Sequence, residues 1–415
     1  MRLRYERIDG QPRTGFDKRD DLINLRTTLA AGYDAGPVRF DAELWDSRVW
    51  LDGPGTPVST GEVNTLELVQ ANVSGEIPDA FGKRTSLRIA AGRFTLNLGS
   101  RRLVAADDYR NTTNGYTGVR ADVGTAGGFT ATLVYVLPQV RLPDDPAELR
   151  RGKIRLDREG FDLVLWGGIA ARRKAIGEAL AELSFFHLGE RDTPGRAPTR
   201  DRSLNTAGAR LVADPAPGRF DYEVEAFYQW GRASAGTGSA SPRLPVSATF
   251  VHAEAGYSFA GGWKPRIAVE FDRASGDAPG GSYGRFDTLF GMRRADLAPS
   301  GLYNAIGRAN IVAAGVRVEA APGRDTDFFL AARPLWLAAS RDSFSTSGVR
   351  DASGRAGSYA GLQWDARVRH WLRKDRLRFE GNMVVLRKGR FFRQAPNRNP
   401  GGDTLYLSLN LTASF

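Results

Sequence analysis

The last twelve residues of the chain alternate strictly between apolar and polar side chains, and this pattern limits the possible folds more than any other feature. From Thr404 to Phe415, each odd position carries Leu, Ala or Phe, and each even position carries Thr, Tyr, Ser or Asn. A period of two residues predicts a β-strand with one apolar and one wet face. An aromatic residue that closes such a strand resembles the C-terminal signature of bacterial outer-membrane barrels. The alternative is an edge strand of a soluble sandwich.

The same alternation recurs elsewhere, for example in residues 38–44, 221–230, 362–368 and 376–383. Charged residues are so frequent on the second face that this face must contact water. No segment approaches the roughly 20 apolar residues that a membrane-spanning helix needs, which excludes a helical membrane protein. A barrel is compatible with the mean hydropathy of −0.35, because its strands alternate between lipid and lumen.

The pattern predicts 18 strands, an even number as in bacterial barrels. The predicted ranges are 2–8, 20–32, 37–50, 62–75, 84–97, 115–124, 127–138, 159–171, 177–189, 202–213, 218–232, 246–259, 264–275, 307–319, 325–338, 357–370, 375–388 and 403–415. The connections alternate in length. Short Gly-, Pro- and Asp-containing turns such as 33–36 and 214–218 are separated by long loops near 98–114, 139–158, 190–201, 233–245, 276–306, 339–356 and 389–402. A soluble sandwich gives no reason for this rhythm, whereas a barrel has short turns on its periplasmic rim and long loops outside the cell.

The composition narrows the function. The net charge of +11 comes almost entirely from arginine, since only seven of the 58 basic residues are lysines. These arginines are spread along the chain among carboxylates, which argues against a nucleic-acid-binding patch. The chain has no cysteine, and its three histidines (His187, His252 and His370) are far apart in sequence. We therefore predict no catalytic site, no metal site and no cofactor.

Several strands resemble the alginate-export porin family of outer-membrane proteins. The matching segments are 66–73, 92–94, 99–103, 109–111, 118–120, 221–231, 264–266, 274–277 and 286–291, of which 221–231 is the most specific. The resemblance spans essentially the whole chain. It implies an 18-stranded barrel that passes an anionic uronate polysaccharide through an arginine-lined constriction. By match to the family, Arg26, Arg93, Arg120 and Asp162 are the expected constriction residues, with Arg4 as a further candidate.

One departure from the family concerns the connection between the sixteenth and seventeenth strands. The family's archetype has a long periplasmic loop there that helps to plug the pore. Here the connection covers only about Trp371 to Asp375. This difference argues against periplasmic gating and against a role restricted to alginate export.

The alternation also predicts which arginines face the lumen. They are Arg4, Arg26, Arg39, Arg120, Arg210, Arg266, Arg317, Arg367, Arg369, Arg376 and Arg378. Arg93 joins them if a bulge near Ala90 to Gly92 shifts the register, as an outward set of Phe94, Leu96 and Leu98 requires. Such cations favour anion entry, and the guanidinium fork suits carboxylates. Alternatively, each arginine forms a cross-strand ion pair that only stiffens the wall. The loop residues Arg101, Arg102 and Arg110 are expected to extend a vestibule, to contact lipopolysaccharide or to remain solvated.

We therefore predict an all-β protein. It is a single transmembrane antiparallel β-barrel domain over residues 1–415, with short periplasmic turns and long extracellular loops, in the bacterial outer membrane. Its predicted function is passive, anion-selective diffusion of alginate-like polysaccharide, acidic oligosaccharides or uronates. The selectivity residues are Arg4, Arg26, Arg93, Arg120, Asp162, Arg266, Arg317 and Arg367. The alternatives are an adhesive or structural barrel, or an outer-membrane hydrolase.

The expected partners are membrane lipid, lipopolysaccharide and an anionic saccharide, with no nucleic acid. We expect a monomer and leave open a periplasmic partner. The chain begins directly with a predicted strand after Met1, and we expect a targeting segment to have been removed from it. A long loop such as 276–306 distinguishes two of the functions. Folded inside the lumen it indicates a pore constriction, whereas projecting outward it indicates adhesion.

Overall fold

A computed structural model describes residues 1–237, 241–292 and 297–415. The strands are β1 (Arg2–Asp9), β2 (Arg19–Asp34), β3 (Val38–Trp50), β4 (Asn64–Pro78), β5 (Thr85–Phe94), β6 (Tyr116–Thr125), β7 (Phe129–Pro138), β8 (Leu163–Ile176), β9 (Ala179–Glu190), β10 (Ser203–Ala213), β11 (Arg219–Ser234), β12 (Arg243–Ser258), β13 (Arg266–Ala274), β14 (Ile311–Ala320), β15 (Thr326–Trp336), β16 (Tyr359–Arg373), β17 (Leu377–Lys388) and β18 (Thr404–Ala413). Two short helices, α1 (Pro146–Arg150) and α2 (Arg390–Gln394), lie in loops. Within the described ranges, no helix is both long and apolar enough to span a bilayer.

The strands form one closed antiparallel sheet. Each strand pairs with its neighbours in sequence, and β1 closes the ring by pairing with both β2 and β18. Leu3, for example, lies opposite Leu25 on one side and Leu411 on the other. Closure leaves no unpaired strand edge, which a bilayer would not tolerate. The all-β prediction and the count of 18 strands are confirmed.

The alternation predicted at the C-terminus sorts side chains between the two faces of the wall. In β18 the leucines at 405, 407, 409 and 411 are exposed on the outside, and the residues from Thr404 to Asn410 at even positions are buried on the inside. The same division holds in β13, where each second residue is buried. The chain therefore lies in the bacterial outer membrane with its apolar face toward lipid.

The connections alternate in length as predicted. The short turns are residues 35–37, 79–84, 126–128, 177–178, 214–218, 259–265, 321–325 and 374–376, on the same side as both termini. The long loops are 10–18, 51–63, 95–115, 139–162, 191–202, 235–242, 275–310, 337–358 and 389–403. The predicted loops 233–245 and 276–306 each contain positions outside the described residues, namely 238–240 and 293–296. The turn at 374–376 confirms the short connection after the sixteenth strand.

Several predicted strand ends and one predicted face differ from the structure: β5 ends at Phe94 rather than at 97, and β8 and β14 begin at Leu163 and Ile311 rather than at 159 and 307. The eighth strand was predicted to end at residue 171, but β8 continues to Ile176, because the arginines and lysine beyond residue 171 extend past the hydrocarbon, where polar side chains are tolerated on both faces. Phe94, Leu96 and Leu98 were predicted to face outward, but all three are buried in the interior core. The pairing of β5 with β4 and β6 runs without a register shift through Ala90 to Gly92, so the predicted bulge there is also wrong.

The outer half of the barrel interior is filled by loops. Leu302, Tyr303 and Ile306 of the 275–310 loop are buried in one apolar cluster together with inner-wall residues such as Leu22 and Phe250. The inner face is therefore not wet along its whole length, as the alternation alone implied. Loop side chains replace water there, and the wall is apolar where they pack. The polar part of the interior begins below this cluster.

Candidate functional site

Arginines line a cavity of about 320 Å³ on the inner wall, where β1 and β2 meet β16, β17 and β18. We call this cavity the basic chamber. The described residues that line it are Arg2, Arg4, Arg26, Arg101, Asp108, Tyr109, Met292, Arg367, Arg369, Arg378, Glu380, Asn410 and Thr412. Seven of these carry a positive charge and two carry a negative charge. The chamber is therefore strongly cationic, and its low-dielectric walls strengthen the field inside it.

The pleat of the strands explains why these side chains converge. Arg2 and Arg4 are two residues apart on β1, so both point inward. Arg2 lies directly opposite Arg26 of β2, and Arg4 lies opposite Asn410 of β18. Barrel closure brings the first strand beside the last, which places β1 next to the arginines of β16 and β17. The sequence signal for Arg2, which the prediction missed, is its spacing of two from Arg4.

Three chamber arginines hold the backbone of the 95–115 loop. Arg2 donates from Nη1 to the carbonyls of Asp108 (2.9 Å) and Tyr109 (3.1 Å), and from Nη2 to that of Arg110 (2.6 Å). Arg26 donates to the carbonyls of residues 108 and 110 at 3.4 and 3.2 Å, and Arg4 donates to that of residue 109. Charge-assisted hydrogen bonds of this kind are among the stronger ones in proteins. The loop is thus anchored inside the lumen by the cations of the wall.

Tyr109 completes this anchor. The guanidinium of Arg4 lies over its ring, 4.0 Å from the centroid, in a cation–π contact. Its hydroxyl is 3.0 Å from the hydroxyls of both Tyr406 and Ser408 on β18. The 95–115 loop therefore forms one side of the basic chamber, and the strand wall forms the other.

The other strand arginines that line the basic chamber are Arg367, Arg369 and Arg378. Arg367 and Arg369 both bond the carboxylate of Asp327, at 3.2 and 3.0 Å. The guanidinium of Arg378 lies 5.5 Å from the ring centroid of Trp371. Arg367 was a predicted selectivity residue, and the structure brings it together with Arg4 and Arg26.

Arg266 and Arg317, also predicted, belong to a different group on the neighbouring strands β11 to β15. Arg266 bonds Asp221, Glu254 and Glu319, and Arg317 bonds Glu319 at 2.6 Å. Arg333 and Glu270 extend the same network at 2.6 Å. The four carboxylates here outnumber the three arginines, so the group forms the cross-strand ladder that was the alternative interpretation of lumen arginines.

The other three predicted residues lie apart from the basic chamber. Arg93 bonds Glu67 and Glu159, each at 2.7 Å, where β4 and β5 meet the 139–162 loop. Arg120 forms a two-pronged ion pair with Asp122, two residues further on β6. Asp162 lies at the end of the 139–162 loop, and hydrogen bonds from Arg196 and Arg158 lower its pKa to about 2. Of the four residues carried over from the family, the structure places only Arg26 in the basic chamber.

The loop arginines have specific positions that sequence reasoning did not foresee. Arg101 lines the basic chamber and pairs with Asp108 at 2.5 Å. Arg102 is buried and bonds Glu223 and Glu225 of β11, which ties the 95–115 loop to the acidic part of the wall. The solvated state and the lipopolysaccharide contact do not fit Arg102. Only the three-dimensional path of the loop decides this.

Two further cavities lie on the outer side of the barrel. A wide outer vestibule of about 760 Å³ is bordered by Arg191, Arg202 and Arg243 with Glu190, Asp192 and Asp201. A middle cavity of about 230 Å³ is bordered by Arg200, Arg202, Tyr283, Arg285, Asp287 and Arg308. Burial alone would raise the pKa of Asp287, but the Arg202 guanidinium outweighs burial and holds that pKa below its usual value. The outer vestibule thus has equal numbers of arginines and carboxylates, whereas the middle cavity has four arginines and one carboxylate.

Comparison with known proteins identifies one family and one fold. The family model described as alginate export matches residues 1–402. No curated protein matches the chain. Among solved structures, the outer-membrane protein OpdK of Pseudomonas aeruginosa superposes with a TM-score of 0.59 at 12% identity, over 99% of this chain and 96% of its own. OccK9 (OpdG) of that organism gives 0.59 at 14% identity, over 99% and 95%. OccK2 (OpdF) gives 0.57 at 13% identity with the same coverage. OpdK has also been solved with vanillate.

Proposed function

The chain belongs to the alginate export family and is an outer-membrane channel, and from this premise we propose that it passes anionic solutes by passive, anion-selective diffusion. The solutes are acidic polysaccharides of the alginate type, acidic oligosaccharides or uronates. The observation that carries the proposal is the basic chamber, whose lining holds seven arginines and two carboxylates. Even with Glu6 and Asp327, which pair with Arg4, Arg367 and Arg369, the arginines outnumber the carboxylates. Fixed cations in a narrow, low-dielectric passage raise the local concentration of anions and oppose cations.

The release of the solute is as important as its attraction. Arg2, Arg4 and Arg26 already donate to loop carbonyls, and Arg367 and Arg369 share Asp327. A passing carboxylate therefore exchanges with existing partners, which keeps each binding step weak. Conduction requires binding that favours entry and still permits exit.

The solute range extends to small organic anions. OpdK, which shares the fold, has been solved with vanillate, and this supports small acids within the proposed range. The short 374–376 turn leaves the chain without the long periplasmic loop of the alginate-export archetype. We therefore keep the direction of flow open between export and uptake.

The path of the 275–310 loop supports a channel over an adhesive or structural barrel. Its described residues fold inward: the Leu302 amide donates to Glu6 of β1 at 2.8 Å, and Tyr303 donates to Gln363 of β16 at 2.7 Å. An adhesin presents its long loops to the outside. A hydrolase would need a serine–histidine–acid set at a solute-accessible surface, whereas His252 is buried in the wall beside Asp272.

The remaining parts of the proposal concern organisation and partners. We propose that residues 1–415 act as a single barrel domain and as a monomer. Its outer face contacts lipid, and its outer rim contacts lipopolysaccharide. The proposal also includes a periplasmic partner that delivers or receives the anionic saccharide.

The test is the reversal potential of the purified channel in a planar bilayer under a KCl gradient. We expect a clear preference for chloride over potassium. Cation preference, or the absence of conductance, would overturn the proposal. A double variant, Arg26→Gln with Arg378→Gln, removes two chamber charges and is expected to reduce the preference. The matched control, Arg120→Gln with Arg210→Gln, removes two arginines that pair with Asp122 and Glu223. It is expected to change the preference less than half as much.

A further inference from the structure

The middle cavity has the construction of a binding site rather than that of a gap between loops. Residues from the 191–202 and 275–310 loops border it together with inner-wall residues of β10, β11 and β12. Leu204, Val246 and Phe286 supply an apolar floor, and each is almost fully buried. Small-molecule sites typically combine such apolar lining with a few converging polar groups.

Arg200 is a cation of the middle cavity that is held mainly by neutral groups. Its guanidinium donates to the Ser234 carbonyl from both Nε (2.9 Å) and Nη2 (2.6 Å), and to the phenol oxygen of Tyr283. It lies over the Tyr283 ring, 4.1 Å from the centroid. These partners are neutral oxygens and an aromatic face, and the nearby Asp287 carboxylate is bonded directly to Arg202. The Arg200 guanidinium is therefore available to a bound carboxylate.

Arg202 and Arg285 hold the shape of the cavity. Arg202 bridges Glu190 and Asp287, each at 2.7 Å. Arg285 bonds Asp342 and the Ser343 carbonyl, both at 2.7 Å, and so ties the 275–310 loop to the 337–358 loop. These partly buried, charge-assisted hydrogen bonds are among the stronger ones in proteins and fix the side chains in place. The cavity wall is therefore preorganised around Arg200 and Tyr283.

The middle cavity lies close to the other two cavities. Arg202 borders both the outer vestibule and the middle cavity. Arg308 borders the middle cavity and donates to the carbonyl of Met292, which lines the basic chamber. All three cavities contain arginine.

We propose that the middle cavity binds a single uronate unit, a six-carbon sugar acid, with its carboxylate at Arg200 and a ring face against Phe286 and Leu204. This inference rests on the proposed anion transport and adds a defined binding station to it. The volume of about 230 Å³ is below the range of roughly 300–1,000 Å³ that drug-sized ligands occupy, so it fits one sugar ring. The lining combines the polar side chains of Gln229, Thr288 and Thr346 with the apolar floor. This mixture suits a sugar acid, which has hydroxyl groups and an apolar ring face, better than a simple inorganic anion.

Block of the chloride current by glucuronate tests the station. In planar bilayers, millimolar glucuronate added to both sides is expected to produce transient, concentration-dependent blockades, and glucose at the same concentration none. Arg200→Gln is expected to raise the half-blocking concentration about tenfold, and Tyr283→Phe about threefold, as expected for the loss of a charged and a neutral hydrogen bond. The control Arg219→Gln, exposed at the periplasmic end of β11, is expected to leave it unchanged.

The outcomes separate this inference from the proposed function. A wild-type channel without anion preference overturns the proposed function. A channel with anion preference whose glucuronate block is the same in Arg200→Gln and in wild type overturns the station alone, as does equal block by glucose. If Arg200→Gln does not assemble, Tyr283→Phe decides, because it keeps the Arg200 charge and the ring and removes only the hydroxyl. Heat-modifiable migration in gels reports whether each variant forms a barrel.

Discussion

Arg2 and Arg26 lie directly opposite each other on neighbouring strands, and both donate to the same acceptor, the carbonyl oxygen of Arg110, at 2.6 and 3.2 Å. Like charges in opposite positions normally destabilise a sheet. Here the backbone of the 95–115 loop lies between the two guanidiniums and supplies the oxygens that they need. The two guanidiniums therefore hold the loop through its carbonyl oxygens instead of only repelling each other, and both charges stay in the basic chamber.

Replacement of Arg2 tests this relationship. Arg2→Met removes one of the two opposed charges and also removes three hydrogen bonds to residues 108–110. We expect the barrel to melt at the same temperature or slightly higher, while trypsin cleaves the loop at Arg101 or Arg110 several-fold faster and single-channel conductance rises. Arg39→Met is the control, since Arg39 pairs with Asp34 and Asp41 near the periplasmic rim. Unchanged loop cleavage in Arg2→Met would contradict the anchor.

The 139–162 loop is expected to respond to pH through Asp157. Burial and the neighbouring Glu67 carboxylate raise the pKa of Asp157 to about 7. Since its pKa in the open loop is near 4, the closed loop binds a proton that the open loop releases. The closed state therefore loses stability as the pH rises from about 4 to 7, and does not change further above 7. We expect the hydrogen exchange of residues 139–162, corrected for the intrinsic pH dependence of exchange, to be faster at pH 8 than at pH 5.

Asp157→Asn provides the comparison for this pH effect. Asparagine keeps an oxygen to accept from the Leu142 amide at 3.0 Å, but it has no proton to lose in this range. We expect the exchange of the loop, corrected for the intrinsic pH dependence of exchange, to be the same at pH 5 and pH 8 in this variant. A wild-type pH dependence that persists in Asp157→Asn would assign the effect to another group.

Arg266 is expected to be a stability residue rather than a selectivity residue. Its guanidinium bonds three carboxylates, of which Asp221 is almost fully buried. Removal of one partner of a buried ion pair typically costs about 3–5 kcal/mol, because the other charge remains without compensation. We expect Arg266→Met to unfold at markedly lower urea concentration, and Asp221→Leu in the same chain to restore part of the loss. Arg219→Met, at an exposed position, is expected to be neutral.

Gly92 is expected to be essential for the pairing of β4 with β5. Its φ of +118° is one that other residues rarely adopt, and a Cβ there would lie 2.5 Å from the carbonyl oxygen of Ala71. Gly92→Ala should cost roughly 1–3 kcal/mol in backbone strain alone, and the clash adds to this. We expect a lower yield of refolded barrel, measured by heat-modifiable migration. Gly323→Ala, in an open periplasmic turn, should refold like wild type.

The sequence predicted the strands of the barrel wall more completely than the grouping of charges at the candidate site. The strand pattern predicted the number of strands, the short and long connections and the inward direction of Arg4, Arg26 and Arg367. It also grouped Arg266 and Arg317 with these residues. Carboxylates of the same and neighbouring strands bond both Arg266 and Arg317. Parity along a strand reports which face a side chain is on. It does not report which charges lie beside it across three or four strands.

The sequence by itself determined a closed antiparallel wall with lipid on one face, because a period of two residues is a local property that each strand carries independently. Only the tertiary structure decided where arginines outnumber carboxylates and where the lumen is filled. Ring closure brings β1 beside β18, and the 95–115 and 275–310 loops enter the interior through contacts with residues up to several hundred positions away, such as Tyr109 with Ser408. Such contacts depend on the assembled geometry, and no local pattern records them.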